Sequence, residues 1–138
     1  MSEQEWQAFV AEGTRTGKVA TTRPDGRPHV APVWFVLDGG DLVFTTGKDT
    51  VKGRALTTDP RVAICVDDER PPFSFVLIEG TATVSEEMGP LLDAAIKLGA
   101  RYMGADRAEE FGRRNAVPGE LLIRVRPDKV IAKAALSE

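Results

Sequence analysis

Lys18-Val-Ala-Thr-Thr-Arg-Pro-Asp-Gly-Arg-Pro-His-Val-Ala-Pro-Val-Trp-Phe-Val-Leu-Asp-Gly-Gly-Asp-Leu-Val-Phe-Thr-Thr46 is the stretch that decides the fold. Two turn signals, Arg23-Pro24-Asp25-Gly26-Arg27 and Asp38-Gly39-Gly40-Asp41, separate three runs of strand-forming residues. Proline presets φ at the first turn, and glycine takes backbone angles that other residues avoid, so the chain reverses at both. The runs read as strands over Lys18–Thr22, Pro28–Leu37 and Leu42–Thr46. In the middle run Val30, Pro32, Trp34 and Val36 alternate with His29, Ala31, Val33 and Phe35, which predicts burial on both faces.

Upstream, Ser2 followed by Glu5 reads as a capping box opening a helix within residues 1–12. Trp6, Phe9 and Val10 fall on one of its faces, and Gly13 ends it. Downstream, a short helix runs from about Asp49 to Thr57 and stops at Asp59-Pro60. Arg61–Asp67 and Phe73–Val84 are further strands, the second bent or bulged at Gly80. Helical spacing returns over Met88–Met103 and again around Phe111, within an excursion over residues 87–114. A last strand lies within 119–134, interrupted by Pro127-Asp128. The 138 residues make one domain, with barrel strands over 17–86 and a closing strand at the end. Six or seven antiparallel strands with small flanking helices predict a mainly β fold, a closed or half-open barrel of Greek-key type.

Composition removes several classes of function. Lys plus Arg number 18 against 21 Asp plus Glu, so there is no global basic field for nucleic acid. One cysteine, Cys65, and one histidine, His29, are too few for a disulfide framework or a His/Cys zinc centre, so no metal is expected. No apolar run approaches the roughly 20 residues of a membrane span. The acidic start Met-Ser-Glu-Gln-Glu is unlike a signal peptide, and the expectation is a cytoplasmic protein.

The chemistry gathers in Thr45-Thr-Gly-Lys-Asp-Thr-Val-Lys-Gly-Arg-Ala-Leu-Thr-Thr-Asp-Pro60. A strand that releases Thr45, Thr46 and Gly47 into a helix carrying Lys52 and Arg54 is a seat for an anion. Amides at a helix start point outward, and the helix dipole favours negative charge there. With the helix opening at or just before Lys48, Lys48 and Lys52 share a face and converge on one anion. A P-loop is excluded, because Leu42 stands where its first glycine belongs and Asp49 follows Lys48. Neither a Gly-x-Gly-x-x-Gly nor a Gly-x-Ser-x-Gly pattern occurs, which removes a Rossmann unit and a serine-hydrolase elbow. His29 reads as a strand histidine or as a polar group near a ligand, and Cys65 as an inert core thiol. Trp34 is either core or a wall for a planar ring. Arg101, Arg107, Arg113 and Arg114, offset by Asp106, Glu109 and Glu110, read as a solvated helix face.

Taken in order, Lys18-Val-Ala-Thr-Thr22, Asp25-Gly-Arg-Pro-His-Val-Ala-Pro-Val-Trp34, Leu42-Val-Phe-Thr-Thr-Gly47, Lys52-Gly-Arg-Ala-Leu56, Asp59-Pro-Arg-Val-Ala63 and Glu79-Gly-Thr-Ala-Thr-Val84 form a recognisable set. The chain resembles the pyridoxamine 5′-phosphate oxidase-like split β-barrel flavoproteins, and more narrowly their short members that use the deazaflavin coenzyme F420. The resemblance covers residues 6 to 133. It implies an FMN-binding split-barrel fold and a homodimer with two cofactor sites in grooves between the subunits. It further implies a cofactor phosphate held by Thr45, Thr46, Gly47, Lys48 and Lys52, with Lys52 the recurrent phosphate-binding lysine. The ring would lie along Ala31, Pro32, Val33 and Trp34, and Lys48, Arg54 and Arg61 would line the path of the anionic F420 tail. Where relatives often carry an arginine two residues before that lysine, this chain has Thr50. The activity implied is hydride transfer from reduced F420 to an unsaturated small molecule, with no side-chain acid or base assigned. The alternatives are an FMN-dependent oxidoreductase of the same fold, or a non-catalytic protein that binds F420, flavin or haem.

Overall fold

A computed structural model of the protein describes residues 1–138. Helix α1 (Glu3–Ala11) starts at Ser2, whose hydroxyl accepts from the Glu5 amide while the Glu5 carboxylate accepts from the Ser2 amide. This reciprocal cap satisfies two donors that the first helical turn would leave orphaned. There follow β1 (Gly17–Thr22), β2 (Pro28–Val33), β3 (Val36–Asp38), β4 (Asp41–Gly47), α2 (Val51–Thr58), β5 (Arg61–Asp67) and β6 (Phe75–Ser85). Then come α3 (Met88–Met103), a 3-10 turn at Ala105–Arg107, α4 (Ala108–Asn115) and β7 (Glu120–Lys133).

The seven strands form one antiparallel sheet in the order β2-β1-β5-β6-β7-β4-β3. The expected single strand Pro28–Leu37 is therefore two, broken at Trp34 and Phe35. Those two pieces are the opposite edges of the sheet. Three peptide steps separate Val33 from Val36 and reach about 11 Å at most. The edges must come close, and the sheet curls into a barrel whose seam is the Trp34–Phe35 crossover.

Inside the curl, Val19, Phe35, Leu42, Phe44, Ile64, Ile78, Ile123 and Val125 are fully buried, joined by Trp6 and Val10 of α1. Strand β4 is buried on both faces, because Val43 packs outward under Leu91 and Ala94 of α3. Strand β2 is not. The predicted burial of both its faces fails: Pro28, Val30 and Pro32 point outward and are exposed, Val30 being 65% exposed. The same alternation corrects Cys65. Val62, Ile64 and Val66 face the core, so Cys65 sits half-buried on the outer face with Ala63. Burial, then the nearby Asp67 carboxylate, push its thiol above the usual value.

Gly80 does mark a bulge. The register between β6 and β7 slips between Glu79 and Gly80, so that Gly80 faces Pro127 and Glu79 faces Lys129. A Cβ at Gly80 would press on the Arg126 carbonyl, and Pro127, which has no N–H, is tolerated where the ladder is interrupted. Strand β7 runs through this point instead of stopping.

Candidate functional site

Gly47 ends β4, and the chain turns at once into α2. The Lys48 amide is pinned to the Gly119 carbonyl at 2.8 Å, holding the turn against the start of β7. Thr50 caps the helix: its hydroxyl accepts from the Gly53 amide at 3.0 Å and donates to the Gly47 carbonyl at 2.8 Å. A hydroxyl has one proton to give, so in the 2.9 Å contact with Thr46 the Thr46 hydroxyl is the donor. Thr50 thus organises the turn. Gly53 has a different task. A Cβ there would collide with the Gly47 carbonyl oxygen, so the first helical turn closes on β4 only with glycine at this position.

The cap shifts the helix start. It opens at Val51, two residues later than expected, which leaves Lys48 outside the helix and removes the shared Lys48–Lys52 face. The first-turn amides of Val51 and Lys52 have no helical acceptor and remain available as donors. Lys52 points into a cavity of about 240 Å3 together with Thr45, Pro32, Val33 and Trp34. Ala95 and Leu98 of α3, Asn115 of α4 and Glu120 of β7 complete it. Lys52 takes part in none of the protein's ion pairs.

The other sequence-derived residues lie elsewhere. Ala31 faces the barrel interior opposite Val19, and the Thr46 hydroxyl is committed to Thr50. Gly47 supplies its carbonyl to the cap. Lys48 and Arg54 line a separate trough with Pro24, Thr57 and Glu86, where Arg54 donates to the Asp49 carbonyl at 2.8 Å. Arg61 is held in a two-pronged contact with Asp59, at 2.7 and 3.0 Å. A larger groove of about 770 Å3 between α1 and β7 mixes Glu3, Asp41, Arg126 and Lys133 and holds none of the candidate residues.

Trp34 is fixed by α3. Its ring lies parallel to Tyr102, with centroids 4.9 Å apart and planes 6° apart, and Phe111 tilts against it at 6.3 Å. The crossover leaves the Phe35 peptide groups outside the sheet ladder, and side chains take them up. The Tyr102 hydroxyl accepts from the Phe35 amide at 3.1 Å, and the Arg101 guanidinium donates to the Phe35 carbonyl at 2.6 Å. Arg101 also donates to the Val10 and Gly13 carbonyls at the end of α1. It is half-buried and not part of a solvated face, although Arg107 and Arg113 do pair with Glu110 and Glu109 at the surface.

Glu120 carries no signal in the sequence, since it reaches the cavity only through the pairing of Gly47 with Glu120 across β4 and β7. Burial pushes its carboxyl above the usual value, opposed by the Thr45 hydroxyl and then by the Lys52 charge. The cavity therefore offers one ammonium, a hydroxyl and helix-start amides at one end and an apolar wall at the other. Those are the donors and the surface that a phosphate joined to a planar ring requires.

The sequence pattern of the pyridoxamine 5′-phosphate oxidase family matches residues 2–134. The chain belongs to that family. Among solved structures of similar fold, a conserved hypothetical protein from Mycobacterium tuberculosis is 28% identical, with a TM-score of 0.84 over 96% of this chain and 84% of that one. An F420 reductase is 30% identical, with a TM-score of 0.70 over 90% of this chain and 94% of its own. HutZ, the haem storage protein from Vibrio cholerae, is 18% identical with a TM-score of 0.77 over the whole of both chains, a likeness of fold alone. The fold of this pyridoxamine 5′-phosphate oxidase-like protein is accordingly the family's split β-barrel. No helix is long and apolar enough to cross a membrane.

Proposed function

We propose that the protein is an F420-dependent reductase acting as a homodimer on an unsaturated small molecule. The observation that carries this reading is the single cavity in which Lys52 and Thr45 face the wall formed by Pro32, Val33 and Trp34. The 30% identity to an F420 reductase over nearly the full length of both chains adds to it. Lys52, Thr45 and the α2 amides would hold the phosphate, and Trp34, braced by Tyr102, would flank the ring. Reduced F420, when bound, supplies a hydride as an obligate two-electron donor. The residues of the chain position the reactants and exclude water, which by itself contributes a large part of a rate enhancement.

The dimer is part of the same reading. A cavity of about 240 Å3 is smaller than the roughly 300–1,000 Å3 that ligand sites usually offer. On the outer face, Pro32 aligns with Lys18, Cys65, Leu77 and Ile131, and Val30 with Ala20 and Ala63, a band beside the cavity that is apolar apart from Lys18, whose charge is paired with Asp67. A second copy on this band would cover it and complete the groove. Val30→Arg is then expected to give a monomer in sedimentation and to weaken cofactor binding at the same time. A dimer unchanged by that substitution counts against the arrangement.

Scanning fluorimetry with F420, FMN and haem tests the cofactor assignment. At one hundred times its Kd a ligand stabilises by about 2.7 kcal/mol, a rise of about 10 °C in Tm for a chain of this size. F420 is expected to produce that rise, followed by turnover of conjugated acceptors. A rise with FMN or haem and none with F420 would overturn the assignment. Haem finds no histidine in this cavity, because His29 lies outside it, on the β1–β2 hairpin.

A further inference from the structure

A carboxylate at the seat of an anion is a conflict that the fold must resolve, and Glu120 presents it. It opens β7 directly opposite Gly47, and its Oε2 lies 3.7 Å from where a Cβ on Gly47 would stand. The carboxyl group therefore leans over the turn from which α2 and its free amides begin. Around the cavity, β4 contributes the Thr45 hydroxyl, α2 the Lys52 ammonium and α4 the Asn115 amide. The crossover and α3 contribute only apolar groups and the Trp34 indole. Lys52 is the one charged group facing Glu120.

With Glu120 ionised, the single positive charge of the seat is offset before any ligand arrives, and a bound phosphate would face a second anion at close range. Two like charges that share a site cannot both be held cheaply, and a proton is taken up; against a singly charged phosphate, a far stronger acid than a carboxyl, it is Glu120 that takes it. Once neutral, a carboxylic acid is a hydrogen-bond donor to an anion instead of its opponent. Burial already biases Glu120 toward that neutral form before ligand binds.

We propose that Glu120 is a proton-linked gate on the phosphate seat: the phosphate-bearing cofactor binds together with one proton from solvent, held on the Glu120 carboxyl. This deepens the reading of the cavity as a cofactor site and rests on it. Glu120 is in this account a specificity and regulatory residue, and takes no part in hydride transfer. Linkage sets the sign. Binding raises the proton affinity of Glu120, so cofactor affinity is highest at low pH and falls as pH rises through the value of the ligand-free carboxyl. The fall amounts to at most tenfold per pH unit, the limit for one proton.

The test compares the wild type with Glu120→Gln, which keeps the size and a donor but cannot ionise. Kd values for F420, FMN and riboflavin are measured by fluorescence from about pH 5 to about pH 8. Taking the ratio of wild-type to variant Kd at each pH cancels the titration of the ligand itself. For whichever of F420 and FMN binds, that ratio is expected to climb by up to about tenfold per pH unit over part of the range. For riboflavin, which has no phosphate, it should stay flat. A ratio independent of pH for the phosphorylated ligand, or a variant that binds it more weakly at every pH, overturns the gate while leaving the cofactor site standing. No binding of F420 or FMN to either protein overturns both. A second measurement needs no variant: the carbon-13 titration of the Glu120 carboxyl in the wild type should move to higher pH when the phosphorylated ligand saturates. An unmoved or lowered midpoint rejects the proposal.

Discussion

The turn from Gly47 to Gly53 and the crossover at Trp34–Phe35 border the same cavity and are held by opposite means. In the turn the side-chain contacts that fix it are local, and one backbone bond, from the Lys48 amide to the Gly119 carbonyl, ties it to β7. Thr46, Gly47 and Gly53 all bond to Thr50, three or four residues away. In the crossover every fixing contact comes from far along the chain, Arg101 and Tyr102 reaching Phe35 across 66 and 67 positions. The cation and the capping hydroxyls of the anion seat thus come from one short segment, with β7 beside it, while the shape of the ring wall depends on where α3 docks. Substitutions in the first region should change what binds. Those in the second should change whether the barrel seam holds.

The largest expected effect falls on the seam. Arg101→Ala removes one guanidinium from three carbonyls, those of Phe35, Val10 and Gly13. Charge-assisted bonds to partly buried carbonyls leave costly orphans when lost, and a destabilisation of about 3 kcal/mol is expected. Urea unfolding should show the midpoint falling at an unchanged m-value. A loss below about 1 kcal/mol would mean that the seam does not depend on α3.

Next comes the turn. Lys52→Ala should weaken F420 binding about 10- to 100-fold, the range for one charged hydrogen bond, and leave the ligand-free Tm nearly unchanged. That pairing of outcomes is what separates the two regions. If Lys52→Ala instead lowered the ligand-free Tm as Arg101→Ala does, the division between a chemical turn and a structural seam would collapse.

The same division explains what could be read from the chain. The turns, the capping box at Ser2 and Glu5 and the bulge at Gly80 are local rules written in adjacent residues, and the structure carries them. The break in Pro28–Leu37 is not local. Trp34 and Phe35 are good strand formers, and only closure of the sheet pulls them out of the ladder. Lys52, Thr45 and Pro32–Trp34 can be picked out because hydroxyl, cation and aromatic types stand out in short segments. Glu120 cannot, because strand register alone carries it to Gly47. The Cys65 error had a remedy in the sequence. Its alternation with Val62, Ile64 and Val66 assigns it to the face opposite the core, although an unbroken apolar run masks that. For Lys48, the preference of threonine for the N-cap at Thr50 was the signal that moved the helix start.

A smaller effect sharpens the seam further. Tyr102→Phe keeps the ring that stacks on Trp34 but loses the hydroxyl that serves the Phe35 amide and the Arg15 carbonyl. A loss of about 1–2 kcal/mol is expected, with cofactor Kd changed less than about threefold. A larger change in Kd than in stability would show that the hydroxyl, and not only the ring, shapes the wall.

The smallest effect is read through pH, where the two regions should respond with opposite signs. Asp68 anchors the seam from outside, bonding Arg15, whose carbonyl takes the Tyr102 hydroxyl. The Arg70 amide, then the Arg70 and Arg15 guanidinium groups, hold its carboxyl down to about 2. A lowered acid stabilises the fold above its unfolded value, near 3.8, and gives that contribution up as pH falls toward 2. Glu120, in the cavity, is raised above 4.5, so its contribution is complete below 4.5 and is lost as pH rises through the folded value. Urea midpoints followed against pH should therefore lose part of their acid slope in Asp68→Asn, and should gain at neutral pH in Glu120→Gln. Asp68 is partly exposed, so its share is modest and screened by salt. If both variants moved the same limb of the curve, the seam and the seat would be electrostatically one unit, and the separation argued from their hydrogen bonds would not extend to charge.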